Sequence, residues 1–241
     1  MVITSLENQK IKDVVKLQSK KYRDITNTFV VETEHLVEEA IKAGVVKELF
    51  VVDGYSIDYP NVCYVSFDVM KKISSMDSPS NVLAVCNKYN SCDIIGNKIL
   101  LLDAIQDPGN LGTIIRSSVA FGVTTIVLSK DTVDLYNPKV IRASEGMMYH
   151  INIVIMDLEE AISIIKSMGI SVYGTNVVNG YDVSSISDKS SYALVMGNEG
   201  NGVKLNIQEL CDKNLYISMN STCESLNVGV ACSILLYELG K

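Results

Sequence analysis

No apolar run in this chain approaches the ~20 residues needed to span a bilayer, and no apolar h-region opens its N-terminus. Neither a membrane span nor a secretory leader is expected, and the reading places the chain in the cytoplasm. The six cysteines, at 63, 86, 92, 211, 223 and 232, include no C-x-x-C pair, and only His35 and His150 could join them. No metal site is expected on that donor set. In a cytoplasmic chain these thiols stay reduced, and most are expected to serve as small core hydrophobes. Positive net charge is also missing. The balance is −7, which excludes a protein that coats nucleic acid unselectively. There is no internal repeat and no low-complexity tract.

What is present fits a folded protein of one large or two small domains: 241 residues, 47% hydrophobic and 20% charged. One local exception to the acidic balance stands at the start. Lys10, Lys12, Lys16, Lys20, Lys21 and Arg23 oppose only Glu7, Asp13 and Asp24 within residues 1–24. This window is either a solvated helix face or a contact surface for a polyanion.

Apolar spacing over 5–21 predicts a helix. Phe29–Glu32 reads as a strand, and Thr33 as the cap of a helix through Leu36, Val37, Ala40 and Ile41 that stops at Gly44. Strands at 49–52, 62–65 and 81–86 and a helix at 67–75 complete a small α/β module over 1–90. The mixed polar stretch 91–97 reads as a linker. From Lys98 to Lys241 a second α/β run begins, with strands at 99–103, 125–128, 151–155, 171–174 and 192–196. Alternation with helices implies a largely parallel sheet covered on both faces. A last strand at Ile217 leads into an apolar terminal helix.

Ligands bind such sheets at the carboxyl ends of strands. Three polar stretches occupy that position. Asp107-Pro-Gly-Asn-Leu-Gly-Thr-Ile-Ile-Arg116 opens a helix that Asn110 could cap, with Arg116 further along it. Met196-Gly-Asn-Glu-Gly-Asn-Gly202 has glycines at 197, 200 and 202. It is neither G-x-G-x-x-G nor a P-loop, which disfavours a nicotinamide dinucleotide fold or an NTPase. The third, Ile217 to Asn227, brings Glu224, Ser225 and Asn227 to a helix start, where side-chain oxygens and exposed N–H groups can hold a polar ligand.

Together, Asp-Pro-Gly-Asn-x-Gly-x-x-x-Arg, Val-Met-Gly-Asn-Glu-Gly-x-Gly and Ile-x-Met-x-x-x-x-Glu-Ser-Leu-Asn-Val resemble the three motifs of the SpoU (TrmH-like) branch of the SPOUT RNA methyltransferases. The resemblance covers residues 98–241. Residues 1–90, with Phe29-Val-Val-Glu and His35-Leu-Val-Glu-Glu-Ala, are similar to that family's L30e-like substrate-binding domain. The resemblance implies an α/β domain with a deep trefoil knot at its C-terminal end, a bound S-adenosylmethionine and a homodimer with the site at its interface. It implies methyl transfer to a ribose 2′-hydroxyl of structured RNA, with rRNA favoured over tRNA.

By position in the motifs, the resemblance implies cofactor contacts from Thr175, Asn176, Gly197, Ile217, Met219 and Leu226. It implies active-site roles for Asn110, Arg116, Glu199, Ser225 and Asn227. Arg116 matches a position assigned to proton removal in the family, but a guanidinium is essentially always protonated and better suited to hold a phosphate. Lys10, Lys12, Lys16, Lys20, Lys21 and Arg23 become candidate RNA contacts. The chain departs from the family pattern at Ser218 and Ser221, which replace a proline and a glycine. It departs again at Gly229, where serine is common, and at Thr33 and Asn81, where glycines are usual. Two other readings compete: a non-catalytic RNA-binding or ribosome-assembly protein that keeps the fold, and methylation of a base. The intact polar set speaks against the first and the motif set against the second.

Overall fold

A computed structural model describes residues 2–89, 93–176, 180–220 and 222–241. The chain forms two compact units. One comprises Met1–Tyr89 and Asp134–Tyr149, the other Asn90–Val133 and His150–Lys241. The sequence pattern puts 134–149 in the second domain, whereas here the segment packs within the first unit. Tyr136 stacks its ring 4.6 Å from that of Phe29, and Asp134 pairs with Arg23 at 2.6 Å. Residue 90 and the first two linker residues, Ser91 and Cys92, lie outside the described residues.

The first unit runs α1 (Gln9–Lys16), α2 (Lys20–Thr26), β1 (Thr28–Glu32), α3 (Glu34–Lys42), β2 (Val46–Val52), β3 (Val62–Val65), α4 (Phe67–Ile73) and β4 (Val82–Asn87). Its sheet has the order β1-β4-β2-β3. Ile11, Val14 and Leu17 pack with Phe50, Val65, Met70 and Leu83 in one core. The single helix expected over 5–21 is two. Arg23 is the reason: its Nη1 donates to the carbonyls of Leu17 and Gln18, both at 2.8 Å, and these acceptors lie at the break. Thr33 does not cap α3. Its backbone sits at φ 84°, ψ 145°, and its side chain makes no cap hydrogen bond. Non-glycine residues rarely adopt that conformation, which accounts for glycine being usual there.

The second unit begins with β5 (Lys98–Leu102), α5 (Pro108–Ala120) and β6 (Thr125–Leu128). The chain passes through α6 (Pro138–Ser144) of the first unit and returns as β7 (Asn152–Ile155), α7 (Leu158–Ser167), β8 (Val172–Thr175), β9 (Tyr181–Asp182) and β10 (Tyr192–Met196). It ends with α8 (Leu205–Glu209), β11 (Lys213–Tyr216) and α9 (Val228–Gly240). The sheet order is β7-β6-β5-β10-β8-β11-β9, with every pairing parallel. The last strand ends at Tyr216, one residue short of its expected start, and the sequence pattern showed neither α8 nor β9. Ile99, Leu101, Val127, Ala193 and Val195 bury one sheet face against Leu158, Ala161, Ile162 and Ile165 of α7 and Ile207 of α8. Alternation sends Leu100, Leu102 and Leu194, all fully buried, to the opposite face.

This topology has a functional consequence. From β5 the chain steps outward to β6 and β7, then crosses back to build β8, β10 and β11 on the other side. Met196 pairs with Leu102 and Leu215 with Thr175. The carboxyl ends of β5, β10, β8 and β11 therefore converge at a switch point, where α/β sheets bind ligands.

Candidate functional site

A cavity of about 400 Å³ opens at those strand ends. All six residues expected to hold a cofactor line it: Thr175, Asn176, Gly197, Ile217, Met219 and Leu226, together with Glu199 and Ser225. Its volume falls in the ~300–1,000 Å³ range of small-molecule sites. Met196, Val228, Ala231 and Leu235 extend the apolar wall, and Gln208 and Tyr216 also reach it. Gln208 escaped the sequence reading because α8 carries no motif.

The 197–203 loop has little freedom. A Cβ on Gly197 would stand 2.1 Å from Gly202 C and from Val203 N, so only glycine lets the loop fold back on itself. Asn198 and Gly202 exchange backbone hydrogen bonds of 3.0 and 2.9 Å. Asn198 Nδ2 donates to the Ala104 carbonyl at 2.8 Å, tying the loop to the one after β5. The Thr175 hydroxyl is committed to the Val195 carbonyl at 2.9 Å.

Asn110, Glu199 and Asn227, far apart in sequence, form one chain of hydrogen bonds. Asp107, not Asn110, caps α5 through its side chain, which leaves the Asn110 carboxamide free to bridge. Asn110 Nδ2 donates to Glu199 Oε1 at 3.0 Å, and Asn227 Nδ2 donates to Asn110 Oδ1 at 2.9 Å. Asn227 Oδ1 caps α9, accepting from Gly229 N and Val230 N, an interaction of about 1 kcal/mol. Glu199 also accepts from the backbone N–H groups of Gln106 at 3.1 Å and Asp107 at 3.0 Å. Partial burial raises the Glu199 pKa, but the bonds from Asn110, Asp107 and Gln106 outweigh it and hold the carboxyl below its ordinary value. Such a carboxylate is a poor proton acceptor at neutral pH. It clamps the post-β5 loop to the glycine loop.

Two expected site residues keep free polar groups. Ser225 is an exposed part of the cavity lining, and its hydroxyl makes no hydrogen bond among the described residues. Arg116 is exposed on α5, outside the cavity lining, and has no ion pair among the described residues. Near it, α5 packs on α9. The Ser117 and Ser233 hydroxyls lie 2.7 Å apart, and a Cβ on Gly229 would come within 3.3 Å of Thr113 Cγ2. Gly229 thus serves a close helix approach. Ser221 lies outside the described residues.

The basic N-terminal set is less available than its charge suggests. Lys10 pairs with Glu48 at 2.7 Å, Lys12 with Glu7 at 2.7 Å and Lys16 with Asp13 at 2.8 Å. Arg23 is a correction: it is 3% exposed, and its guanidinium serves Asp134 and two carbonyls. Lys20 and Lys21 are exposed and make no ion pair among the described residues.

Cys86 and Cys232 are buried, and burial pushes both thiols well above their usual range. Cys63 and Cys211 are half-buried and Cys223 is exposed. Among the described residues no group of three or more His, Cys, Asp or Glu could hold a metal ion, and no helix is long and apolar enough to cross a membrane.

Comparison with known proteins adds to this geometry. Residues 97–237 match the SpoU rRNA Methylase family, and residues 8–84 match the MRM3-like substrate binding domain. A Bacillus subtilis protein named 23S rRNA (guanosine(2553)-2'-O)-methyltransferase RlmP is 42% identical, with 98% of each chain covered. The crystal structure of an AdoMet-bound rRNA methyltransferase from Sinorhizobium meliloti superposes with a TM-score of 0.89 at 29% identity, covering 99% of this chain and 97% of that one. A putative RNA methyltransferase of the TrmH family from Porphyromonas gingivalis gives 0.88 at 28% identity, covering 98% of each chain.

Proposed function

The chain belongs to the SpoU rRNA methylase family, and from that premise we propose a division of labour among its site residues. It is an S-adenosylmethionine-dependent RNA 2′-O-ribose methyltransferase. One observation carries the assignment of the cofactor to the cavity: residues 175, 176, 197, 217, 219 and 226, distant in sequence, line a single concave site at the strand ends. The residues present fit the cofactor. Apolar walls from Ile217, Leu226, Val228 and Leu235 suit a purine, and the Gly197 cradle would be filled by any Cβ. When bound, the cofactor supplies a methyl group on a positively charged sulfur.

Methyl transfer needs alignment of the hydroxyl with the methyl group more than acid catalysis. The Asn227–Asn110–Glu199 chain supplies rigidity, because its hydrogen-bonding capacity is largely committed to holding three segments in register. Ser225, with a free hydroxyl on the cavity wall, is suited to orient the ribose hydroxyl. Arg116, permanently charged, is suited to hold a substrate phosphate and not to take its proton.

The substrate is ribosomal RNA, as the name of the full-length B. subtilis relative suggests, and that relative's large-subunit guanosine is the first target to test. The first unit, matched to a substrate-binding domain, grips the RNA, with Lys20 and Lys21 the members of the basic N-terminal set that make no ion pair among the described residues. A homodimer with the cavity near its interface is supported by Arg116, exposed outside the cavity, and by Val230 and Tyr237 of α9, 48% and 51% exposed. A trefoil knot is supported by the order of the sheet, in which β10 lies between β5 and β8 and the last strand between β8 and β9. A ribosomal substrate accords with a cytoplasmic location.

The test is Arg116→Ala. Calorimetry should give an S-adenosylmethionine Kd within about twofold of wild type, while methyl transfer falls by about 100-fold or more. Normal turnover would overturn the role of Arg116. A wild-type chain that binds no cofactor would favour the non-catalytic RNA-binding reading.

A further inference from the structure

Asp103 directly follows β5, with its side chain 1% exposed. A carboxylate that deep is tolerated only with compensation. Its Oδ2 accepts from the Lys204 backbone N–H at 2.8 Å. Its Oδ1 makes no hydrogen bond and faces the Lys204 ammonium at 3.4 Å. Lys204 Nζ also reaches Asp131 Oδ2 at 3.0 Å. The Asp131 carbonyl in turn accepts from Gln106 Nε2 at 2.8 Å, in the loop that Glu199 clamps.

Lys204 does not line the cavity, but it directly follows 197–203, which do. Both interactions that compensate Asp103 therefore come from the residue that closes this loop. If the loop lifts, the buried carboxylate loses its cation and its hydrogen-bond donor together. Lys204 is the N-cap residue of α8 and makes no side-chain cap bond, so its ammonium is left to the two carboxylates, while Asn206 ties the start of α8 to Glu159 at 2.6 Å.

We propose that Asp103, Lys204 and Asp131 form a charge latch that holds the 197–203 loop in its ligand-binding position and so sets cofactor affinity. Asp103 and Lys204 are positioning residues, acting through the loop. The inference rests on the reading of the cavity as the S-adenosylmethionine site.

The experiment is calorimetry of S-adenosylmethionine with the full chain and four variants, with melting curves and saturating-cofactor turnover beside it. Lys204→Met should weaken binding by about tenfold, because it strands a buried charge, while kcat at saturating cofactor stays near wild type. Lys204→Arg should restore affinity to within about twofold, since it keeps the charge. Asp103→Asn should weaken binding, and Asp103→Asn/Lys204→Met should bind more tightly than Lys204→Met alone, since no uncompensated carboxylate remains. Unchanged affinity in Lys204→Met overturns the latch. So does a double variant as weak as the product of the two single effects. Both results leave the cofactor reading standing. A wild-type chain that takes up no S-adenosylmethionine overturns the cofactor reading and the latch with it.

Discussion

Gly197→Ala is a one-carbon change whose effect can be worked from distances. The new Cβ would stand 2.1 Å from Gly202 C and Val203 N and 2.5 Å from Gly202 O, where ordinary packing begins near 3.4 Å. All three atoms are backbone, so no side chain can rotate away and the loop must move by more than about 1 Å. A shift of that size breaks the reciprocal Asn198–Gly202 pair, whose bonds are 3.0 and 2.9 Å. At about 1 kcal/mol net each, the loop loses about 2 kcal/mol. Because residues 197–203 form the cavity wall, the loss falls on binding, and the S-adenosylmethionine Kd should rise about 30-fold. Calorimetry reads this directly, with circular dichroism to show that the fold persists. Gly200→Ala is the control in the same loop. Its Cβ would meet only Asn198 Oδ1, at 3.6 Å, and affinity should change by no more than about twofold. Wild-type affinity in Gly197→Ala at unchanged Tm would refute the claim that this loop forms the cofactor wall.

Three further outcomes are expected. Thr33→Gly should stabilise the chain by about 1 kcal/mol in thermal melting, because relief of φ 84° exceeds the added unfolded-state entropy. Arg23→Ala should destabilise by about 3 kcal/mol in denaturant titrations, since it strands the Asp134 carboxylate, whose side chain is 12% exposed, and two carbonyls. Lys20→Glu with Lys21→Glu should weaken RNA binding and make its log–log salt slope shallower, by about 0.7–0.9 for each phosphate no longer neutralised.

The strands and the loops that follow them were legible because a buried parallel strand is a nearly continuous apolar run and glycine marks where backbone turns closely. This made residues 99–102 and 192–196, and the cavity residues after 174, 196 and 216, readable in one dimension. What stayed hidden depends on partners far away in sequence. Arg23 looked like one more basic surface residue, since nothing local announces that Asp134, 111 positions later, is its counter-charge. Residues 134–149 kept the strand–helix rhythm of the second run, yet Tyr136 packs on Phe29. Glu199 matched a catalytic position, but only the geometry shows both of its oxygens committed to the neighbouring loop. α8 is five residues long, too short for helical periodicity to register. Asp103 read as the end of an apolar strand, and its dependence on Lys204 appears only once the strand ends are brought together.

If this cavity delivers a methyl group to a ribose oxygen of ribosomal RNA, the label of the donated methyl must end up there. The direct measurement is transfer from methyl-labelled S-adenosylmethionine to total RNA from a strain lacking the gene, followed by nuclease mapping of the labelled nucleotide. The expected result is label in ribosomal RNA, at a single ribose whose 3′ phosphodiester resists alkaline cleavage, and no label with Arg116→Ala. Label on a base, or none in ribosomal RNA, would contradict it.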